Sequence, residues 1–321
     1  MGNMIHKKHN NNTQIKMIGL DLDGTTLAKR GLTKRTKKAL ENVIKAGVHV
    51  VIATGRSYAA LPESIFHVKG LRFLVTSNGA QITDLKEGKV IYSNCISREK
   101  IMEIADILRA TNYVVEIFTE GHAYIDRKVY DELKEGESSY LSRKYILKTR
   151  IPVDGILDFL AEHSDTIENI NVIFQFQEDK LAMKKVFEET GGITVTSSMK
   201  NNIELGGDTT SKASAIKALE HILGVGTENM MACGDSHNDM EMLKEAGFAV
   251  AMGNAEDEVK EAADFVAPSN DEEGVAYVIE KFALGKKPDR LAAFHKIKNM
   301  TAANMYRAAA VFSKKFKDRW I

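Results

Sequence analysis

The chain has 321 residues, of which 44% are hydrophobic and 27% charged, and its formal net charge is zero. These values are typical of a soluble globular protein with one large or two medium domains, and they argue against nucleic acid as a partner. Two cysteines are too few for a disulfide framework and fit a reducing compartment. Residues 1–14 are polar and lack the apolar core of a signal peptide, and no apolar run approaches the ~20 residues of a transmembrane segment. We therefore expect a disordered lead-in over 1–14 and a cytoplasmic protein.

Strands and helices alternate in the first part of the chain. The pattern predicts strands at 15–21, 49–53 and 73–75, separated by helices at 34–46 and 57–66. This order requires crossover connections, which are typical of a parallel sheet with helices on its faces.

The pattern changes after residue 79 and returns at residue 203. Strand pairs are predicted at 80–93 and 114–125, with a helix at 98–111 between them. Further helices and strands follow up to residue 197, although 128–150 gives no clear prediction. We therefore expect an α+β domain over 82–200 to be inserted into the first domain. The later alternating elements are predicted as strands at 203–205, 230–234, 249–252 and 265–266 and helices at 211–223, 238–246, 256–263 and 273–283.

Together these patterns predict an α/β protein. A Rossmann-like parallel-sheet core with helices on both faces is formed by 15–81 and 201–284, and the α+β unit is inserted between the two parts. The remaining segment, 285–321, carries ten basic and two acidic residues and is predicted as a basic helical extension. Such a helix can lie on an anionic membrane or dock on a partner, but we favour packing on its own acidic core.

Two pairs of carboxylates follow predicted strands. Asp21 and Asp23 come directly after the first strand, and Gly24 allows a sharp turn behind them. Asp235 and Asp239 follow the strand at 230–234 in the same way. Asp and Gly are also ordinary turn residues. However, carboxylates crowded at the carboxyl ends of strands repel one another unless a cation or a proton relieves them.

Other residues supply what a phosphate group needs. Thr54 and Gly55 end the strand at 49–53, where a hydroxyl and backbone N–H groups could hold an oxyanion. Lys212 begins a predicted helix and offers a positive charge. Carboxylates converging from two strands form a hard-oxygen site of the kind that Mg²⁺ prefers. This combination indicates phosphoryl transfer, in which one carboxylate can attack phosphorus.

Four segments in this order resemble the motifs of the haloacid dehalogenase-like phosphohydrolases. They are Asp21-Leu22-Asp23-Gly24-Thr25, Thr54-Gly55-Arg56, Lys212 and Gly234-Asp235-Ser236-His237-Asn238-Asp239. Residues 25–27, 76–80 and 238–243 are similar to the Cof-type branch of that family. Four ordered motifs, each at a predicted strand end or helix start, are far more specific than one.

The resemblance implies roles for the acidic residues. Asp21 would be the nucleophile that forms an aspartyl-phosphate, and Asp23 would be the general acid and then the general base. Mg²⁺ would be held by a side-chain oxygen of Asp21, the backbone carbonyl of Asp23 and Asp235. Asp239 would orient Lys212 or metal-bound water instead of binding the metal directly.

The resemblance also implies the groups that bind the transferred phosphoryl group. These are the Thr54 side chain, backbone groups at Leu22 and Gly55, and the side chains of Lys212 and Asn238. Positioning and charge compensation by such groups would supply most of the catalysis.

The resemblance further implies that 82–200 is a cap that excludes water and selects the substrate, a small phosphorylated metabolite such as a sugar phosphate or phosphorylated cofactor. Arg56 could contact that substrate or pair with a nearby acid. A phosphotransferase or mutase is an alternative. However, mutases of this family carry a cap at the place that lies between Asp23 and Thr54 here, where this sequence has room for only one helix and its loops. A catalytically silent regulatory binding protein is a second alternative. Such a protein need not retain Asp21, Asp23, Lys212 and Asp235, so the presence of all four argues against it.

Overall fold

Two β-sheets organise the chain, which a computed structural model describes over residues 14–136 and 138–285. The predicted lead-in and basic extension lie outside the described residues, apart from residues 14 and 285. The strands are β1 (Met17–Leu20), β2 (His49–Ala53), β3 (Phe73–Thr76), β4 (Gln81–Asp84), β5 (Lys89–Ser93), β6 (Val114–Thr119), β7 (His122–Asp126), β8 (Arg150–Val153), β9 (Ile167–Ile173), β10 (Ile193–Thr196), β11 (Asn202–Gly207), β12 (Met230–Gly234), β13 (Phe248–Ala251) and β14 (Phe265–Val266).

Helices connect these strands and cover the sheets. The α-helices are α1 (Lys34–Lys45), α2 (Glu63–Phe66), α3 (Arg98–Arg109), α4 (Arg127–Glu135), α5 (Arg143–Thr149), α6 (Ile156–Glu162), α7 (Gln177–Thr190), α8 (Lys212–Leu223), α9 (Met240–Glu245), α10 (Asp257–Ala262) and α11 (Gly274–Val278). Shorter 3₁₀ turns lie at Tyr58–Ala60, Ser77–Gly79, Thr227–Asn229, His237–Asp239 and Asn270–Glu272, and a π-helical turn at Ile279–Ala283 follows α11.

The larger sheet has eight strands in the order β14-β13-β12-β1-β2-β3-β4-β5. Neighbours from β14 to β3 pair in parallel, and β4 and β5 add an antiparallel edge. β1 and β12 are buried throughout because neighbouring strands and helices cover them, which explains their uninterrupted apolar sequences. The predicted Rossmann-like core is confirmed.

Helix α1 shows how the local sequence builds a layer of this core. The Thr33 side chain caps the helix by accepting from the Thr36 backbone N–H, as N-cap residues do. Its buried residues, Thr36, Ala39, Leu40 and Val43, recur at helical spacing and form one face. The Ser97 side chain caps α3 in the same way.

The smaller sheet has six strands in the order β10-β11-β9-β6-β7-β8, and only its β7–β8 pair is parallel. α3, α6 and α7 contribute Leu108, Leu160 and Phe187 to the apolar cluster at one face. Polar side chains lie along the three central strands, where Glu204 of β11 and Glu116 of β6 both pair with Asn171 of β9. This sheet with its helices is called the six-stranded unit below.

The sheets place the boundaries of the inserted unit differently from the predicted 82–200. β4 and β5 continue the eight-stranded sheet, because the turn at Ser77–Gly79 folds β4 back onto β3. β11 belongs to the six-stranded sheet, where it pairs with β9 and β10. An alternating strand sequence indicates a strand but not the sheet that it joins, so the sequence misplaced both elements.

One helix prediction differs from the structure, and one segment without a prediction is helical. The helix predicted over 57–66 is a 3₁₀ turn and the short α2, because Pro62 lies between them and lacks a backbone N–H. The segment 128–150, left without a prediction, contains most of α4 and all of α5. No helix in the part of the chain that the structure describes is long and apolar enough to cross a membrane.

Candidate active site

The predicted acidic and hydroxyl residues meet at one edge of the eight-stranded sheet. β12, β1 and β2 are neighbours and parallel, and they are followed directly by Asp235, Asp21 and Thr54 respectively. The backbone N–H of Asp21 donates to the Cys233 carbonyl, which continues the pairing to the end of the strand. The carboxyl edge of a parallel sheet is where such folds bind ligands.

Lys212 connects two of the carboxylates. Its Nζ lies 2.6 Å from an oxygen of Asp21 and 2.6 Å from an oxygen of Asp239, and all three side chains are buried. Burial disfavours the charge on Lys212, but the two carboxylates outweigh burial and raise the pKa of Lys212. The ammonium is therefore a fixed positive charge beside Asp21.

Asp239 has both carboxylate oxygens engaged by protein donors. One oxygen accepts from Lys212, and the other accepts from the backbone N–H groups of Asp235 (2.9 Å) and Ser236 (3.1 Å). This geometry supports the interpretation that Asp239 orients Lys212 instead of binding a metal directly.

The carboxylates at this edge of the sheet lie close enough together to hold a hard divalent cation. Oxygens of Asp21, Asp235 and Asp239 all lie within 4.8 Å of one another. Burial and then the neighbouring Asp239 raise the pKa of Asp235 to about 6. Burial also raises the pKa of Asp21, although Lys212 opposes that shift. A cation between Asp21 and Asp235 would relieve the repulsion between these crowded, buried carboxylates. Carboxylate oxygens are ligands that Mg²⁺ accepts.

The backbone after β1 leaves room for Asp235. Gly24 has a φ of +75°, and a Cβ there would collide with the Asp235 carboxylate. The Thr25 hydroxyl donates to Asp235 at 2.7 Å, and the Thr26 hydroxyl donates to the Asp21 carbonyl at 2.6 Å. The Gly-Thr-Thr sequence thus shapes the loop around the Asp235 carboxylate and the backbone of Asp21.

Asp23 faces a different partner. Its two carboxylate oxygens accept from Nε and Nη2 of Arg56 at 2.6 Å each, and its side chain is 53% exposed. A further Arg56 nitrogen donates to the Ala60 carbonyl, and the guanidinium lies 5.1 Å from the ring centre of Tyr145 in α5. Arg56 therefore pairs with an acid and also lines the cavity described next.

A cavity of about 380 Å³ separates this edge from the polar side chains of the six-stranded unit. Among the predicted site residues, Asp21, Asp23, Thr54, Gly55, Asp235 and Asn238 line it. Leu22, Lys212 and Asp239 are not among the residues that line the cavity, although Lys212 contacts Asp21 directly. The cavity is completed by Gly24, Arg56, Ser236 and the residues of the six-stranded unit, Phe118, Tyr145, Arg150, Asn171, Ser198, Met199 and Glu204.

The sequence did not identify the residues of the six-stranded unit that line the cavity. Arg150 is buried and donates to both oxygens of Glu116 at 2.8 Å, and Asn171 donates to the same carboxylate at 2.9 Å. The Arg150 guanidinium also lies 5.2 Å from the ring centre of Phe118 and 4.8 Å from that of Tyr145. The sequence does contain a signal for some of them, because Glu116, Asn171 and Glu204 interrupt the otherwise largely apolar strands β6, β9 and β11. Buried polar groups of this kind need partners or a ligand.

Comparison with known proteins identifies the family. The haloacid dehalogenase-like hydrolase family matches residues 18–279. The chain belongs to this family. Phosphatase YwpJ of Bacillus subtilis is 34% identical over 284 residues, which cover 83% of this chain and 99% of that protein. The 5-amino-6-(5-phospho-D-ribitylamino)uracil phosphatase YwtE of the same organism is 31% identical over 299 residues, covering 85% of this chain and 99% of its own.

A solved structure agrees with these sequence matches. A haloacid dehalogenase-like hydrolase from B. subtilis superimposes with a TM-score of 0.72 at 31% identity, covering 83% of this chain and 99% of that chain. The predicted resemblance to the Cof-type phosphatases is confirmed. The protein is an enzyme, a phosphatase of the haloacid dehalogenase-like family.

Proposed function

We propose that the protein is a Mg²⁺-dependent phosphatase that hydrolyses a small phosphorylated metabolite through an aspartyl-phosphate on Asp21. The observation that carries this proposal is the position of the Asp21 carboxylate, which lines the cavity and lies 2.6 Å from the Lys212 ammonium. The ammonium offsets the negative charge that accumulates when a carboxylate approaches a phosphate.

In the first half of the reaction, an Asp21 oxygen attacks phosphorus. The new P–O bond to Asp21 forms while the P–O bond to the substrate alcohol breaks. A proton from Asp23 neutralises the departing alkoxide. Both Asp23 oxygens are bonded to Arg56 in this structure. Asp23 must therefore leave Arg56 and take up a proton from solvent before this step, and its half-exposed side chain has the freedom to do so.

In the second half, Asp23 takes a proton from a water molecule, and that water attacks phosphorus. The P–O bond to Asp21 breaks, which releases inorganic phosphate and restores the carboxylate. Thr54, the backbone at Leu22 and Gly55, Lys212 and Asn238 hold the phosphoryl oxygens through both steps.

Asp21, Asp235 and the backbone carbonyl of Asp23 would hold the Mg²⁺. When bound, the ion supplies charge neutralisation and orients the phosphoryl group for in-line attack. Asp239 does not enter this ligand set, because its oxygens accept from Lys212 and from two backbone N–H groups.

The substrate is expected to be small, because the cavity of about 380 Å³ is closed on one side by the six-stranded unit. That unit would act as the cap over the active site. Asn171, Ser198 and Glu204 offer hydrogen-bond donors and acceptors to a leaving group, and Phe118 and Tyr145 offer apolar surfaces. These features suit a sugar phosphate or a phosphorylated cofactor.

The proposal is tested by measuring phosphate release from a panel of phosphorylated sugars, nucleotides and pyridoxal phosphate with Mg²⁺. Asp21→Asn should lower kcat by at least about 10⁴-fold, the scale seen when a catalytic nucleophile is removed. Asp257→Asn is the matched control, because that side chain is 97% exposed. Activity of Asp21→Asn near that of the control would refute the assignment. No release by the folded wild type would favour phosphoryl transfer to another acceptor.

A further inference from the structure

Asn78 joins the phosphate-binding side of the site to the six-stranded unit. Its side-chain oxygen accepts from Nδ2 of Asn238 at 3.0 Å, and its own Nδ2 donates to Glu204 at 2.9 Å. Both Asn78 and Glu204 are buried, and Asn238 lines the cavity. A continuous hydrogen-bonded chain therefore runs from Glu204 through Asn78 to Asn238.

The chemistry of Glu204 fixes the direction of every hydrogen bond in this chain. Its two carboxyl oxygens accept from three side-chain donors, those of Asn78, Ser198 and Asn202, so the Asn78 amide turns its NH₂ group towards Glu204. The Asn78 oxygen then faces Asn238, which must present its own NH₂ group. In that orientation the Asn238 oxygen accepts from the Ser236 hydroxyl at 2.8 Å.

This orientation leaves Asn238 with a donor for a ligand. The Asn238 NH₂ group carries two N–H bonds, and Asn78 takes one of them. Within the described ranges, the second N–H has no protein acceptor, and Asn238 lines the cavity with Thr54 and Asp21. A donor suits a phosphoryl oxygen, whereas the amide oxygen in the reversed orientation would repel it.

The backbone holds Asn78 in an uncommon conformation. Ser77 and Asn78 have φ values of +50° and +56°, which non-glycine residues rarely adopt. Their N–H groups donate to the carbonyls of Arg56 and Thr54, so the turn rests on the loop that carries Thr54. A left-handed turn maintained in this way at a site is an observation that points to a role.

We propose that Glu204 and Asn78 are positioning residues that set the orientation of the Asn238 amide so that it donates to the phosphoryl group. The inference rests on the proposed function, because it assumes that Asn238 binds the transferred phosphoryl. Neither residue needs to touch the reacting atoms. Glu204 comes from the six-stranded unit, so that unit would complete the phosphate site as well as cover it.

Glu204→Gln tests the direction of the hydrogen bonds from Glu204 through Asn78 to Asn238 without removing any of them. The side-chain oxygen of the introduced glutamine is expected to keep the bonds from Ser198 and Asn202 that Glu204 now accepts at 2.8 and 3.3 Å. The NH₂ group of that glutamine then faces Asn78, so Asn78 and Asn238 must both reverse. Every bond is retained, but Asn238 presents an oxygen to the phosphate.

Glu168→Gln is the matched control. Glu168 is a second buried glutamate of the same sheet, and it accepts from the Ser77 hydroxyl at 2.6 Å and from the Gly121 N–H at 2.7 Å. The Ser77 hydroxyl can reorient to accept instead of donate, so a glutamine at position 168 leaves the hydrogen bonds of Asn78 unchanged. Asn78→Gly is a second test variant, because glycine tolerates the positive φ and removes the amide.

The assay uses the full chain with p-nitrophenyl phosphate as substrate and inorganic phosphate as inhibitor. Inorganic phosphate lacks the alcohol portion of a substrate, so its inhibition constant reports the phosphate site alone. Glu204→Gln and Asn78→Gly should each weaken phosphate inhibition by about tenfold or more, the effect of losing one hydrogen bond to a charged group. Glu168→Gln should change it less than twofold, and the thermal midpoints of Glu204→Gln and Glu168→Gln should agree.

Different failures have different meanings. Equal phosphate inhibition of wild type, Glu204→Gln and Asn78→Gly would overturn the positioning role while leaving the phosphatase intact. An equal weakening of phosphate inhibition in Glu168→Gln and Glu204→Gln would also overturn it. Both glutamates contact the turn at Ser77 and Asn78, so a general loosening of that turn would then explain both results. If Glu204→Gln is unstable, normal inhibition of Asn78→Gly decides against the proposal. A wild type without turnover would instead count against the proposed function.

Discussion

Replacing Lys212 with methionine should lower the stability of the core far more than the loss of an exposed ion pair would. Lys212 Nζ is 2.6 Å from both Asp21 and Asp239, and the three side chains are 1%, 6% and 0% exposed. Methionine fills similar space but leaves two buried carboxylates without their cation. Breaking a buried ion pair in this way costs about 3–5 kcal/mol.

This cost can be measured by thermal unfolding followed by far-ultraviolet circular dichroism. For a unit of 150–250 residues, about 1 kcal/mol shifts the midpoint by roughly 2–4 °C, so Lys212→Met should lower it by roughly 6–20 °C. A chelator keeps divalent ions from replacing the lost charge.

Lys217→Met is the control on the same helix. Lys217 pairs with Glu245 at 2.8 Å, but the two side chains are 48% and 42% exposed. An exposed pair contributes at most about 1 kcal/mol. If Lys212→Met lowers the midpoint no more than Lys217→Met does, then Lys212 does not compensate the buried carboxylates as we infer.

Two further predictions concern the loop and the metal. Gly24→Ala should lower phosphatase activity by up to about 100-fold, the cost of misplacing a group by about 1 Å, because its Cβ would collide with the Asp235 carboxylate. Gly31→Ala also places alanine at positive φ but meets no atom within 4 Å, so equal losses in phosphate-release assays would refute this explanation. Chelation should stop phosphate release and Mg²⁺ should restore it better than Ca²⁺, because Ca²⁺ accepts looser geometry with more ligands. Equal rates with both ions in a metal titration would contradict the in-line arrangement.

The local sequence accounts for most of the core and for the machinery proposed at its edge. β2 and β12 were predicted with their observed bounds, because strands covered on both faces are uninterrupted apolar runs. The acidic, hydroxyl and lysine residues were predicted because each follows a strand or begins a helix. Parallel strands then necessarily bring their carboxyl ends to one edge.

The six-stranded unit shows where local patterns are insufficient. Tyr145 and Arg150 lie at the end of the segment 128–150 that gave no prediction, yet both line the cavity. Their surroundings come from distant parts of the chain, since Arg150 pairs with Glu116 and Tyr145 lies under Arg56. Pairing across such separations leaves no periodicity in the local sequence.

The sequence by itself determined the family, the parallel core and the set of residues proposed to handle phosphate. Those properties depend on local order, because apolar runs form strands and polar residues follow them. Only the tertiary structure decided that the 81–93 hairpin extends the core sheet, that Asp23 is held by Arg56, and that Glu204 reaches Asn238 through Asn78. These features depend on which edges pair and on which acceptor faces which amide, and both are settled only when distant segments pack together.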